Sequence, residues 1–250
     1  MTTPITLEVC VDCIESAHVA AREGAKRIEL CASLNEHGLT PSAGMIATVR
    51  DLVSIDLFVM IRPRGGDFVY SEGEFAAMKH DIATAKALGA DGVVFGILNE
   101  DRTIDRGRNA ELLALARPMK ATFHRAFDVS RDLTQSLEDI VALGFDRVLT
   151  SGGAQKVEDA VPVVSGLREL SADRIALMIG AGVNSANVRS LIEQTGVREV
   201  HASARRIAPS APRRYTELIA MDTLAAWEQR HSFADEEEVR DLVRAISTIG

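Results

Sequence analysis

The chain has 250 residues, of which 46% are hydrophobic and only 4% aromatic, and a formal net charge of -8. That length fits one α/β domain with an aliphatic interior, as buried parallel strands require, and disfavours a β-sandwich. The negative field repels phosphodiester backbones and anionic lipid, which excludes a general nucleic-acid or membrane-surface binder, and no apolar run approaches the roughly 20 residues that span a bilayer.

In chain order, Leu7-Glu8-Val9-Cys10 reads as a buried strand, and so does Lys26-Arg27-Ile28-Glu29-Leu30-Cys31. Side chains alternate faces along a strand, so Glu8 shares a face with Cys10, and Glu29 with Cys31. Between them residues 12–23 have helical spacing, with Asp12 as N-cap and Gly24 as stop. Pro41 opens a helix to Leu52, residues 57–62 form a third strand, and 63–70 form a loop. Next come helix 72–88, strand 92–95, helix 109–117, strand 119–124, a loop at 125–129, helix 133–143 and strand 147–150. Helix 157–170, strand 174–179, helix 186–194 and strand 198–202 complete eight strand-helix pairs. Residues 203–216, rich in Arg, Ala and Pro, read as a long eighth loop, and 234–249 as an extra amphipathic helix on the outside.

A helix-ending glycine recurs at Gly24, Gly89, Gly144 and Gly196, each just before a strand. Spacings of about fifty to sixty-five residues fit a unit of two strand-helix pairs, repeated four times in a (β/α)8 TIM barrel. A doubly wound open sheet is the alternative, but it would place a glycine-rich fingerprint after the first strand, where Val11-Asp12-Cys13 stands. The reading is therefore one α/β domain, a TIM barrel over residues 1–250 with a C-terminal helix.

Met1-Thr2-Thr3-Pro4 lacks the charged and apolar regions of a signal peptide, so a cytoplasmic location is expected. The three cysteines, all within the first 31 residues, do not make a disulfide framework, and reduced thiols are expected.

Function in such a barrel sits at the carboxyl ends of the strands, and here those ends are polar. They carry Glu8, Cys10, Glu29, Cys31, Arg62, Arg64, His124, Arg125, Asp128, His201 and Ser203, with small residues at Ser151, Gly152, Gly180 and Gly182. The small residues let backbone N–H groups approach an anion, with Asn184 or Ser185 capping the next helix, as in a barrel phosphate site; tight turns alone also select glycine. His124 reads as general base, ligand or core histidine, and with Glu29 it could move a proton if burial brings the carboxyl toward neutrality. Arg62, Arg125, Ser151, Gly152, Gly180, Gly182, His201 and Ser203 would hold a small anion, phosphorylated or carboxylated, while Glu29, His124 and Asp128 are the candidate catalytic groups. Cys10 and Cys31, ending adjacent strands, could instead hold two-coordinate Cu(I), a soft ion that prefers thiolate, form a disulfide under oxidising conditions, or simply pack as small apolar groups.

Seven motifs in order carry a family resemblance: Leu-Glu-Val-Cys-Val-Asp at 7–12, Arg-Ile-Glu-Leu-Cys at 27–31, Gly-Leu-Thr-Pro-Ser at 38–42, Met-Ile-Arg-Pro-Arg at 60–64 with Gly66-Asp67-Phe68, Thr-Phe-His-Arg-Ala-Phe-Asp at 122–128, Leu-Thr-Ser-Gly at 149–152 and His201-Ala202-Ser203. Together they resemble the CutC family, named for copper homeostasis, over residues 5–205. The resemblance implies a cytoplasmic barrel, often a homodimer, linked to copper tolerance, with Cys10 and Cys31 matching the cysteines proposed as Cu(I) ligands. Cys13 and His37 stand where the family more often has Ser and Gly, so neither inherits a role. The polar ring of Glu29, Arg62, His124, Arg125 and Asp128 looks more like an enzyme site than a copper chaperone, which would present an exposed thiol pair. An uncharacterised barrel enzyme is therefore the second reading, and a scaffold for assembly a third.

Overall fold

The computed structural model describes residues 4–209 and 230–249. Eight parallel strands close a barrel in sequence order: β1 (Thr6–Val11), β2 (Arg27–Leu30), β3 (Asp56–Met60), β4 (Gly92–Phe95), β5 (Lys120–Phe123), β6 (Arg147–Thr150), β7 (Ala176–Ile179) and β8 (Glu199–Ala202), with β8 paired back to β1. Helices α1 (Ile14–Arg22), α2 (Ala43–Leu52), α3 (Glu72–Ala87), α4 (Arg106–Ala116), α5 (Leu133–Leu143), α6 (Val161–Ser171) and α7 (Val188–Thr195) follow the first seven strands. The expected TIM barrel is present.

Strand alternation creates two apolar regions. Leu7, Val9, Ile28, Leu30, Leu57 and Val59 point outward and join the helices in the main core. Cys10, Cys31, Leu34, Phe58, Met60 and Val94 form a separate cluster on the inner side. Each fully buried aliphatic side chain contributes about 1.5–3 kcal/mol relative to exposure, so the helical layer fixes the barrel and the inner positions are freer to carry polar groups.

Several boundaries differ from the sequence reading. Asp12 does not cap α1; Cys13 is the N-cap, its side chain meeting the Ser16 hydroxyl rather than a backbone N–H, and the Asp12 carboxylate accepts from Leu34 N at 3.2 Å instead. Pro41 precedes α2, whose cap is Ser42, accepting from Met45 N at 3.2 Å. The helix expected over 157–170 splits into a 3-10 turn, Val157–Ala160, and α6, because Pro162 lacks an N–H and is best placed in a first helical turn. Gly144, at φ +87°, ends α5 in the left-handed region that a Cβ disfavours.

The tail after β8 is not wholly a loop. Strand β9 (Arg205–Pro209) pairs antiparallel with β10 (Arg230–Ala234), so the eighth-loop expectation over 203–216 is corrected for 205–209 and lies outside the described residues from 210 onward. Helix α8 (Glu236–Ser247) follows, capped by Asp235 and burying Val239, Leu242 and Ile246. Among the described residues, no helix is long and apolar enough to cross a membrane.

Candidate functional site

The barrel interior is built on a ladder of charges. Glu8 on β1 lies opposite Arg27 on β2 and His201 on β8, and inward-pointing side chains at these positions must meet. Arg27 Nε donates to Glu8 Oε2 at 2.5 Å and its terminal nitrogen bonds Glu199, which also accepts from Arg147 Nε at 2.6 Å. Phe58 receives the Arg27 and Arg147 guanidinium carbons, each 5.0 Å from its ring centroid. Burial disfavours the Glu8 carboxylate, yet Arg27, His201 and Arg147 outweigh it and bring its pKa down to about 2.

One step toward the mouth, His201 Nδ1 stands 2.7 Å from Glu8 Oε1 while Nε2 faces Glu29 Oε2 at 3.9 Å. Burial works against a charged His201, but Cys10, Glu29 and the bond to Glu8 raise its pKa well above the ordinary value. Burial pushes Glu29 up to about 7, opposed by His201 and reinforced by Glu8, and its Oε1 has no hydrogen-bond partner among the described residues. The Cys31 thiol donates to Glu29 Oε2 at 3.6 Å and is pushed well up by burial, Glu29 and Cys10. Ligand atoms of Cys10, Glu29 and His201 lie within 4.8 Å of one another. All three cysteines are free thiols.

Above this floor opens a cavity of about 1020 Å³. Among the predicted site residues Cys10, Glu29, Arg62, His124, Arg125, Asp128, Gly182, His201 and Ser203 line it, whereas Cys31, Ser151, Gly152 and Gly180 do not. Cys31 sits beneath, only 1% exposed against 8% for Cys10. His124 is buried with its ring centroid 4.9 Å from that of Phe68, whose other neighbour is Arg62, its guanidinium carbon 5.1 Å from the ring centroid. His124 Nδ1 accepts from Ala126 N at 3.3 Å, and Nε2 is unpartnered among the described residues. Burial and the neighbouring Arg62 charge lower its pKa to about 3, so the imidazole is neutral. Gly96 makes room for it, because a Cβ there would lie 2.9 Å from His124 Nδ1.

The loops after β5 and β6 are tied together by Asp128. Its carboxylate accepts from Thr150 Oγ1 at 2.5 Å, from the amides of Ser151 and Gly153, and from Arg125 Nε at 2.7 Å, while Arg125 reaches Ser151 Oγ at 2.8 Å. Gly152 N donates to Thr150 Oγ1 at 2.8 Å. A Cβ at Gly180 would meet Leu149 at 2.8 Å and His201 at 3.3 Å, so this glycine accommodates the histidine. After β7, Asn184 N donates to Asn187 Oδ1, and the Ala186 and Asn187 amides donate to Asn184 Oδ1. Ser185 gives both its amide, at 2.7 Å, and its hydroxyl, at 2.8 Å, to Glu238 of α8. Thus a carboxylate of the protein already occupies the place expected for an anion.

Sequence reasoning assigns no site role to Arg27, Arg147, Glu199 or Phe68, although Arg27 and Phe68 stand within the family motifs. Arg27 and Glu199 had a readable signal, since a charged residue at every second position of an otherwise apolar strand, as in Arg27-Ile28-Glu29 and Glu199-Val200-His201, marks an inward face. Glu237, Glu238 and Asp241 also line the cavity, and nothing local to α8 announces it.

The pattern that defines the CutC family matches residues 5–206. The human protein named copper homeostasis protein cutC homolog is 45% identical over 237 residues, covering 94% of this chain and 87% of the human one. A CutC family protein from Chromobacterium violaceum is 42% identical over 240 residues, covering 96% and 97%. The solved CutC structure from Streptococcus agalactiae superposes with a TM-score of 0.77 at 34% identity, covering 80% of this chain and 98% of that one. Phosphoribosylanthranilate isomerase from Thermotoga maritima, at 13% identity and a TM-score of 0.60 over 98% of this chain and 100% of that one, shares the fold alone. With the motif order, the closed barrel and these similarities in agreement, the chain belongs to the CutC copper homeostasis family.

Proposed function

We propose that the protein binds Cu(I) at the floor of the barrel cavity, with Cys10 and Cys31 as its thiolate ligands. The observation that carries this reading is the approach of Cys10, Glu29 and His201 ligand atoms to within 4.8 Å, with the Cys31 thiol bonded to the same Glu29. The donor set suits the ion: two thiols supply soft ligands, and His201 is held by Glu8 through Nδ1 so that Nε2 stays toward the centre. Cys31 must lose a proton that burial and Glu29 hold in place, so uptake releases protons and strengthens as pH rises. A cytoplasmic, reducing setting fits three free thiols, and sedimentation tests the homodimer that the resemblance implies. Competition between the protein and a Cu(I) chelator tests the centre: the Cys10→Ser, Cys31→Ser double variant loses tight binding, and unchanged affinity would sink the reading.

A second reading, a barrel enzyme moving a proton on a small anionic metabolite, is favoured by a different observation. A cavity of about 1020 Å³ is far larger than one ion needs, and among the described residues three buried groups with unpartnered atoms, Glu29, Arg62 and His124, line it. In this reading Glu29, with its pKa near 7, exchanges the proton, neutral His124 faces the substrate, and Asp128 fixes Arg125 at the mouth. Stabilisation of the protein by an anionic metabolite, lost in Arg62→Ala, checks it.

A further inference from the structure

The cavity has two unlike walls. On one side Glu237, Glu238 and Asp241 of α8 line it, and Glu238 holds the amide and hydroxyl of Ser185. Negative charge and occupied donors leave that side poorly suited to an added phosphate. The opposite wall, from β3 and β5, carries Arg62 and His124, 3% and 4% exposed.

Among the described residues Arg62 is a buried cation without a counter-ion. Its terminal nitrogens donate to the carbonyls of Glu36, Gly38 and Gly66, its Nε is unpartnered, and among the described residues no carboxylate pairs with it. Carbonyl dipoles fix the guanidinium in place but do not neutralise it, and a buried unpaired charge is strongly unfavourable. His124 Nδ1 already accepts from Ala126 N, so the free nitrogen, Nε2, must carry the ring proton and act as a donor. Two groups that can only donate, one of them charged, bracket Phe68 on this wall. They ask for an acceptor with negative charge and a flat, partly apolar body.

We propose that this wall is a carboxylate subsite: a small organic carboxylate lies against Phe68, its charge meeting Arg62 and one oxygen accepting from His124 Nε2–H. The proposal rests on the second reading, that of a barrel acting on a small anionic molecule, and narrows it from phosphorylated or carboxylated to carboxylated. The low pKa of His124 keeps this donor neutral across the physiological range, so binding at His124 needs no protonation step.

The test uses the full chain, with succinate and pyruvate as probes and inorganic phosphate and glycerol 3-phosphate as comparisons. Thermal unfolding with each probe is followed, and long-range proton-nitrogen NMR of the histidine rings is recorded with and without it, His124 being assigned by its loss in His124→Asn. The expected result is saturable stabilisation by a carboxylate, a shift of the His124 Nε2–H signal on its addition, and about tenfold weaker binding in Arg62→Ala. If Arg62→Ala does not fold, the wild-type signal still decides. A protonated Nδ1, or carboxylate binding that leaves the His124 signal unmoved, overturns the proposal. Binding by the phosphates alone overturns it while leaving the small-anion reading standing; binding by neither class overturns both.

Discussion

Glu8 and Arg27 are register partners across β1 and β2, and their side chains meet inside the barrel with Nε 2.5 Å from Oε2, neither more than 3% exposed. A pair so buried is costly to desolvate, and half of it is worse than none. Arg27→Met is therefore expected to destabilise the fold by about 3–5 kcal/mol, because Glu8 and Glu199 lose a shared counter-charge. Adding Glu8→Gln to that variant should restore part of the loss. Urea denaturation of the two variants gives the comparison, and equal stabilities would show that the ion pair is not the source.

Acid stability should carry a signature of His124. Its pKa in the fold, about 3, lies below its ordinary value of 6.5, so over that window the unfolded chain binds a proton the folded chain refuses. Its contribution is complete above pH 6.5 and is lost as pH falls toward 3, reaching a few kcal/mol at the bottom on the order of 1.4 kcal/mol per unit. Glu8, lowered from 4.5 to about 2, adds a second loss at lower pH. Comparing stability against pH for the wild type and His124→Asn isolates the first window; identical slopes between pH 6.5 and 4 would contradict it.

The two barrel thiols should differ in reactivity. Cys10 lines the cavity, whereas Cys31 is 1% exposed, covered by the Gly38 turn and held as a thiol by burial and Glu29. A thiol-specific reagent applied to the folded chain is expected to modify Cys10 at least about ten times faster than Cys31, read by peptide mass spectrometry. Added Cu(I) should protect both if they share the ion.

Gly96→Ala tests how the histidine is seated. The new methyl would lie 2.9 Å from both His124 Nδ1 and Phe123 Cζ, so ring and strand must shift, costing about 1–3 kcal/mol. The His124 ring signals should move as well, since the bond from Ala126 N is disturbed. Unchanged spectra and stability would mean that the close approach relaxes at no cost.

The C-terminal helix is part of the cavity as well as of the outer layer. Leu242→Ala, at a fully buried position, is expected to cost about 2–5 kcal/mol in thermal or urea unfolding. Glu238→Ala should have a smaller effect on stability but free the Ser185 amide and hydroxyl. Tighter phosphate binding in that variant is the expected consequence, measured by the same thermal shift.

The order of strands and helices was legible from sequence because each element carries its own period: apolar runs at β1 to β8, helical spacing between them and a helix-ending glycine before every second strand. Alternation also puts Glu8 with Cys10, and Glu29 with Cys31, on one face of its strand. What alternation cannot state is which inner residues meet, because that depends on the stagger between strands that are distant in the chain. Only the closed barrel brings Glu8 of β1 to His201 of β8, leaves Cys10 at the cavity surface while sinking Cys31 beneath it, and holds the Arg62 guanidinium on backbone carbonyls. Helix α8 makes the same point from the other end of the chain: its sequence specifies an amphipathic helix, but its carboxylates reach the Ser185 loop because packing brings residues 53 positions apart into hydrogen-bond range. Local periodicity determines elements, since it acts over a few residues; the site is decided by closure of the barrel, which sums contacts across the whole length.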